Sequence, residues 1–167
     1  MVSVEPIKLR EWGKRYRSGS KGRLFTCGRP GRGTFGRRRV RVPEDIIDLW
    51  VNGLPNAEIL HIVSLLGKKK AGFSEFEYYP FRSAEESGSK PVWEDWLNSR
   101  YGRRFVVHEI PTVDSQGVPR DIMYRAIGEI SSLVEAGFTV ILIDSAGAER
   151  TARVCEAAGY ELVTSIR

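Results

Sequence analysis

Thr139-Val140-Ile141-Leu142-Ile143-Asp144-Ser145-Ala146-Gly147-Ala148-Glu149-Arg150-Thr151 is the stretch whose reading decides the fold. Its first five residues are apolar after Thr139 and rich in β-branched side chains, so they read as a short buried strand. Glu149–Ala158 reads as a helix that stops at Gly159. Between them lies a tight loop of small residues. Small side chains let a backbone wrap closely around a ligand, successive amides can point into the hollow, and the helix start adds partial positive charge. Arg150 adds a planar fork that matches two oxyanion oxygens. The design suits phosphate or sulfate. The plainer reading of the same residues is a strand-to-helix connection with a surface arginine.

The pattern continues upstream. Pro119–Ala136 is a long amphipathic helix with Ile122, Ala126, Ile130, Leu133 and Val134 on one face. Phe105–Ile110 and Ile59–Leu66 read as strands, and Lys68-Lys69-Lys70 breaks out to solvent. Residues 43–52 read as a helix opened by Pro43 with Glu44 and Asp45 in its first turn, and Pro91–Arg100 reads as another, opened by its proline, with Trp93, Trp96 and Leu97 at helical spacing. Phe76–Phe81, Arg23–Thr26, Arg38–Val42 and Glu161–Ile166 are strand-like, and residues 5–17 suit a short amphipathic helix. Gly28-Arg29-Pro30-Gly31 reads as a turn with no helix after it. Strands alternating with helices predict an α/β fold, with a central mixed, mostly parallel sheet flanked by helices. Ligands of such sheets sit beyond the carboxyl ends of the strands, which directs attention to the turn after Ile143.

On these residues the chain resembles the cysteine-dependent protein phosphatases of the dual-specificity type. That family carries His-Cys-x-x-Gly-x-x-Arg-Ser/Thr at a strand–loop–helix junction. Gly147, Arg150 and Thr151 match the pattern, and Ser145-Ala146-Gly147 is a common version of the loop. The family's general acid lies about thirty residues upstream, where this chain has Ile110-Pro111-Thr112-Val113-Asp114. The resemblance covers roughly residues 55–155. It implies a dual-specificity phosphatase fold, a phosphate-binding loop over Ser145, Ala146, Gly147, Ala148, Glu149, Arg150 and Thr151, and Asp114 at the general-acid place. The departures are specific. Ile143 stands where the family has His, and Asp144 where it has the nucleophilic Cys. After Thr151 the family adds helices, whereas this chain turns back as a strand.

A thiolate suits the family's reaction because the loop lowers its pKa and sulfur is strongly nucleophilic. A carboxylate at the same point fills the anion hole and repels an incoming dianion. At 4 Å two unit charges interact by about 4 kcal/mol at an effective dielectric of 20. The expectation is therefore a phosphatase-like protein without cysteine chemistry, a binding or regulatory domain for an anionic or phosphorylated partner. One alternative is an active phosphohydrolase using Asp144 or another group.

The chain has 167 residues, 41% of them hydrophobic, a formal net charge of +5 and two cysteines. That allows one domain with a substantial core and is too apolar for a disordered chain. No apolar run approaches the ~20 residues of a membrane span, and no leader opens the chain. Cys27 and Cys155 make neither a disulfide framework nor a metal-site spacing, so a reducing cytoplasm with no metal or cofactor is expected. Charge is uneven. Residues 1–41 hold thirteen Lys and Arg against Glu5 and Glu11, a net of +11, and the remainder carries −6. The reading divides the chain into a basic Gly/Arg-rich extension, 1–42, packing on an α/β domain, 43–167. A basic arm over residues 8–41 also supports a third function, a nucleic-acid-associated module.

Several other side chains have a bland and a sharp reading. Asp114 sits in a Thr-Val-Asp-Ser-Gln-Gly stretch that also suits a plain turn. Cys155 reads as a small buried helix residue. His61 and His108, 47 residues apart, give a catalytic triad little support. Tyr78, Tyr79, Phe81, Trp93 and Trp96 are either core or a ligand platform, and Arg82-Ser83 could add an anion contact.

Overall fold

The computed structural model describes residues 7–14, 22–35, 40–114 and 116–163. In chain order the elements are β1 (Arg10–Lys14), β2 (Arg23–Gly28), α1 (Arg32–Phe35), α2 (Glu44–Asn52), β3 (Ile59–Ser64), a 3-10 turn (Glu75–Tyr78), α3 (Trp93–Arg100), β4 (Arg104–Glu109), α4 (Arg120–Glu135), β5 (Thr139–Asp144), α5 (Glu149–Ala157) and β6 (Tyr160–Leu162). The strands form one six-stranded sheet in the order β4-β3-β5-β2-β1-β6. β4, β3, β5 and β2 run parallel, whereas β1 is antiparallel to both β2 and β6.

β5 sits between β3 and β2, and its alternating side chains serve both faces. Ile141 and Ile143 join a core made with α2, α3 and the aromatic segment around residues 73–81. Val140 and Leu142 join a second core beneath α4 and α5. α4 contributes Ala126, Ile130 and Val134, spaced four apart as one buried stripe. Full burial of one such aliphatic side chain is worth about 1.5–3 kcal/mol. Arg100 at the end of α3 reaches Asp48 and Glu44 on α2, at 2.8 and 3.0 Å, and ties the two helices together.

Several expectations change. The sheet is mixed rather than mostly parallel, because its β1–β6 edge is antiparallel. Within residues 5–17, Arg10–Lys14 is a strand and not part of a helix. Trp12 is buried there and its indole N–H donates to Thr26 Oγ1 on β2, at 2.9 Å. The rest of that segment below residue 7 and above residue 14 lies outside the described residues. Phe76–Phe81 is no strand. Ser74 accepts from the Phe76 amide and starts a 3-10 turn, after which Tyr79, Phe81 and Trp93 stack ring on ring as core. The predicted strand at Arg38–Val42 is irregular from Val40, and Arg38 and Arg39 are outside the described residues. A short helix, α1, does follow Gly28-Arg29-Pro30-Gly31. The basic segment enters the sheet itself, since β2 lies between β5 and β1. Of the described residues, no helix is long and apolar enough to cross a membrane.

Candidate functional site

Because β2, β3, β4 and β5 are parallel, their carboxyl ends open on one edge of the sheet, and the loops that follow them meet there. The β5–α5 loop is seated on the end of β2. The Arg29 amide donates to the Ser145 carbonyl at 3.2 Å. Gly147, at φ +72°, lies against the backbone of Cys27 and Gly28. On the other side the Leu65 amide donates to the Ile143 carbonyl at 2.9 Å.

Asp144 is 3% exposed and its carboxylate turns into its own loop. Oδ1 accepts from the Gly147 amide, and Oδ2 accepts from the Thr151 amide at 3.0 Å. Thr151 lies in the first turn of α5, and Ala148, at the cap position, makes no side-chain cap bond. Asp144 therefore does the work of an N-cap from four residues further back. The loop amides expected to cradle an external anion are in part already satisfied by an internal one.

Arg150 is 6% exposed and points to the β4–α4 loop. Its guanidinium donates to Thr112 Oγ1 and, at 2.9 Å, to Asp114 Oδ1. Lys69, from the loop after β3, donates to Asp114 Oδ2 at 2.7 Å and to Ser145 Oγ at 3.3 Å. Asp114 thus bridges two cations. Burial alone would raise its pKa, but the Lys69 hydrogen bond and the charges of Lys69, Arg150 and Arg32 outweigh burial and hold it below the usual carboxylate range. It is an anion at neutral pH and a poor proton donor there. Beneath this network Glu75 is fully buried, accepts from the Gly67 amide at 3.2 Å and stands 4.0 Å from Arg29. Burial raises its pKa despite that bond.

The three elements enclose a cleft of about 460 Å³. Arg32, Lys69, Lys70, Arg150 and Arg153 line it, with Asp114, Asp144 and Glu149 as its acids and Phe73 and Tyr78 on one wall. The Arg29 guanidinium lies 4.2 Å over the Tyr78 ring, behind that wall. The structure brings Asp144, Ser145, Ala146, Ala148, Glu149, Arg150 and Asp114 together on this cleft, while Gly147 is turned against β2 and Thr151 is buried in the first turn of α5. Lys69, read as part of a solvent-facing break, and Thr112 join this network without having been sequence candidates, as do Lys70, Phe73 and Arg153 on the cleft. Arg82 and Ser83 do not reach the cleft. Ser83 lines a neighbouring cavity of about 550 Å³.

Neither thiol lines the cleft. Cys27 and Cys155 are buried, and burial raises both pKa values, with Asp144's charge adding to the effect at Cys27. Among the described residues no group of three His, Cys, Asp or Glu is placed to hold a metal ion. Of the basic residues in 8–41, Arg29 is buried, Arg23 pairs with Glu11 at 2.8 Å, Lys14 lies 4.6 Å over the Tyr160 ring and Arg32 faces the cleft. Arg15, Arg17, Lys21 and Arg37 to Arg39 fall outside the described residues.

The two histidines do meet, at some remove in the fold. Neighbouring strands β3 and β4 place His61 Nδ1 3.0 Å from His108 Nε2, and His108 Nδ1 lies 2.7 Å from Glu129 on α4. With a carboxylate at Nδ1, neutral His108 carries its proton there, and its Nε2 accepts from His61. Burial, then the neighbouring His108, lowers the His61 pKa. The unfolded chain therefore binds the proton more readily, and stability falls as pH drops through the ordinary histidine range. Urea unfolding is expected to have a lower midpoint at pH 5.5 than at pH 7.5, and His61→Phe is expected to shrink that difference. Equal pH dependence in the two proteins would remove His61 as the cause.

Comparison of the chain with protein-family models, with curated proteins and with solved structures finds no match.

Proposed function

We propose that this chain is a phosphatase-like binding domain that receives an anionic or phosphorylated partner in the cleft beyond β5, without covalent chemistry. The observation that carries the reading is the Asp144 carboxylate, held by the amides of Gly147 and Thr151 where the resembling family places its thiolate. Attack by that carboxylate on phosphorus would require it to leave both bonds. The surrounding cations favour an anion in the cleft all the same, and Arg150 offers the strongest planar contact.

Isothermal titration with methyl phosphate tests this. The wild-type protein is expected to bind saturably, and Arg150→Ala to bind ten-fold to a hundred-fold more weakly, about the 1.5–3 kcal/mol of a charge-assisted hydrogen bond. An aryl phosphate is expected to be released unchanged. Turnover by the wild-type protein that is lost in Arg150→Ala would replace this reading with that of a hydrolase. Absence of any oxyanion binding would end it.

A further inference from the structure

We propose, resting on the anion-binding reading of the cleft, that Asp114 is a displaceable stand-in for the ligand: it occupies Arg150 and Lys69 until a doubly charged tetrahedral oxyanion, a terminal phosphate group, takes both cations from it. The geometry is that of a ligand. One carboxylate oxygen lies on Arg150 at 2.9 Å and the other on Lys69 at 2.7 Å, so Asp114 bridges two cations as two oxygens of a phosphate would. Both cations are well shielded, with side chains 7% and 12% exposed, whereas the Asp114 side chain is 23% exposed and has open cleft beside it. The anion is thus the member of the clasp best able to leave.

The neighbouring groups set which competitor succeeds. Arg150 keeps Thr112 Oγ1 as a second partner, so its guanidinium stays aimed at the cleft when Asp114 moves away. Thr112 is itself fixed, donating from Oγ1 to the Leu65 carbonyl at 2.7 Å. A single charge merely replaces the one it expels. A dianion brings a further charge, and Arg32, Lys70 and Arg153 stand around the cleft to meet it. The site is closed in the absence of ligand by a bond of the same chemistry as the ligand's own. The cost is affinity, because each binding event must first separate Asp114 from two cations.

The test is a gain of binding. Methyl phosphate and the singly charged dimethyl phosphate are titrated at pH 8 into the wild-type chain, Asp114→Asn, Arg150→Ala and the double variant. Asp114→Asn is expected to bind methyl phosphate at least ten-fold more tightly than wild type, with a smaller gain for dimethyl phosphate. The gain is expected to be clearly smaller in the Arg150→Ala background, where Lys69 is the one cation of the pair left to free, which a merely structural effect would not do. Circular dichroism confirms the fold, and Asp114→Ser serves as the neutral variant if the amide disturbs it. Unchanged or weaker binding by both neutral variants would overturn the stand-in, as would a gain of undiminished size without Arg150. In each of those cases wild-type binding that depends on Arg150 still upholds the cleft as an anion site. No binding by any of the proteins removes both.

Discussion

Gly147→Ala is expected to destabilise the protein by roughly 4 kcal/mol, lowering Tm by about 8–16 °C for a chain of this size. Two causes add. Gly147 has φ +72°, where a side chain costs about 1–3 kcal/mol. A Cβ there would also fall deep inside contact with the carbonyl carbon of Cys27 and the nitrogen of Gly28, and 2.7 Å from the Cys27 oxygen. These are backbone atoms at the end of a central strand, so no rotamer change relieves the overlap. Either the β5–α5 loop lifts off β2 or β2 shifts against β5. Gly72 provides the control. It has φ +97°, and a methyl on its Cα would meet nothing within 4 Å, so Gly72→Ala isolates the backbone term at about 1 kcal/mol. Thermal unfolding of the two variants side by side decides the matter, and equal losses would mean that the loop is not seated on β2 as described.

The loop was the most legible part of the sequence because everything that shapes it is contiguous. A run of β-branched residues, a stretch of small ones and a helix start follow each other directly, and local pattern is what a single sequence displays well. The same holds for α2, α3 and α4, each opened near a proline and carrying an apolar stripe or an acidic first turn. β1 was not legible. Its five residues bury only Trp12, and the strand exists because β2 and β6 pair with it, one of them arriving from the far end of the described chain. The aromatic segment misled for a related reason. Tyr79 and Phe81 are spaced as in a strand, but their rings stack on each other and on Trp93 instead of alternating across a sheet.

The site divides in the same way. Asp144, Gly147 and Arg150 were singled out from spacing, whereas the cross-chain partners around them could not be. Lys69 reaches Ser145 across 76 positions and Asp114 across 45, and a triple-lysine run looks like a solvated break from sequence. The direction of Arg150 was equally hidden. Nothing in the loop itself indicates that its guanidinium turns to Thr112 and Asp114 and leaves the amides to Asp144. His61 and His108 make the point in the sheet, where parallel register alone joins two residues that look unrelated along the chain.

Asp144→Ala is expected to lower stability by about 3 kcal/mol, or Tm by about 6–12 °C. The carboxylate satisfies the Gly147 amide and, at 3.0 Å, the Thr151 amide at the floor of the cleft, where Asp144 is buried. Alanine leaves both donors unmet, and each buried donor without a partner costs about 1–3 kcal/mol. The first turn of α5 also loses the negative charge that its dipole favours. Asp144→Asn keeps one acceptor oxygen and is expected to lose about half as much. The same reasoning predicts a rescue. Formate has the size and charge of the group removed, so it can refill the amide cup of Asp144→Ala, and binding to the folded state alone raises its stability by mass action. Formate at about 0.1 M is expected to raise the Tm of Asp144→Ala by several degrees more than that of wild type, whose cup is occupied. Chloride at equal ionic strength separates this from screening. An alanine variant as stable as wild type, or one indifferent to formate, would show that the amides around Asp144 form no anion cup, and the likeness to a phosphate loop would then extend to sequence spacing alone.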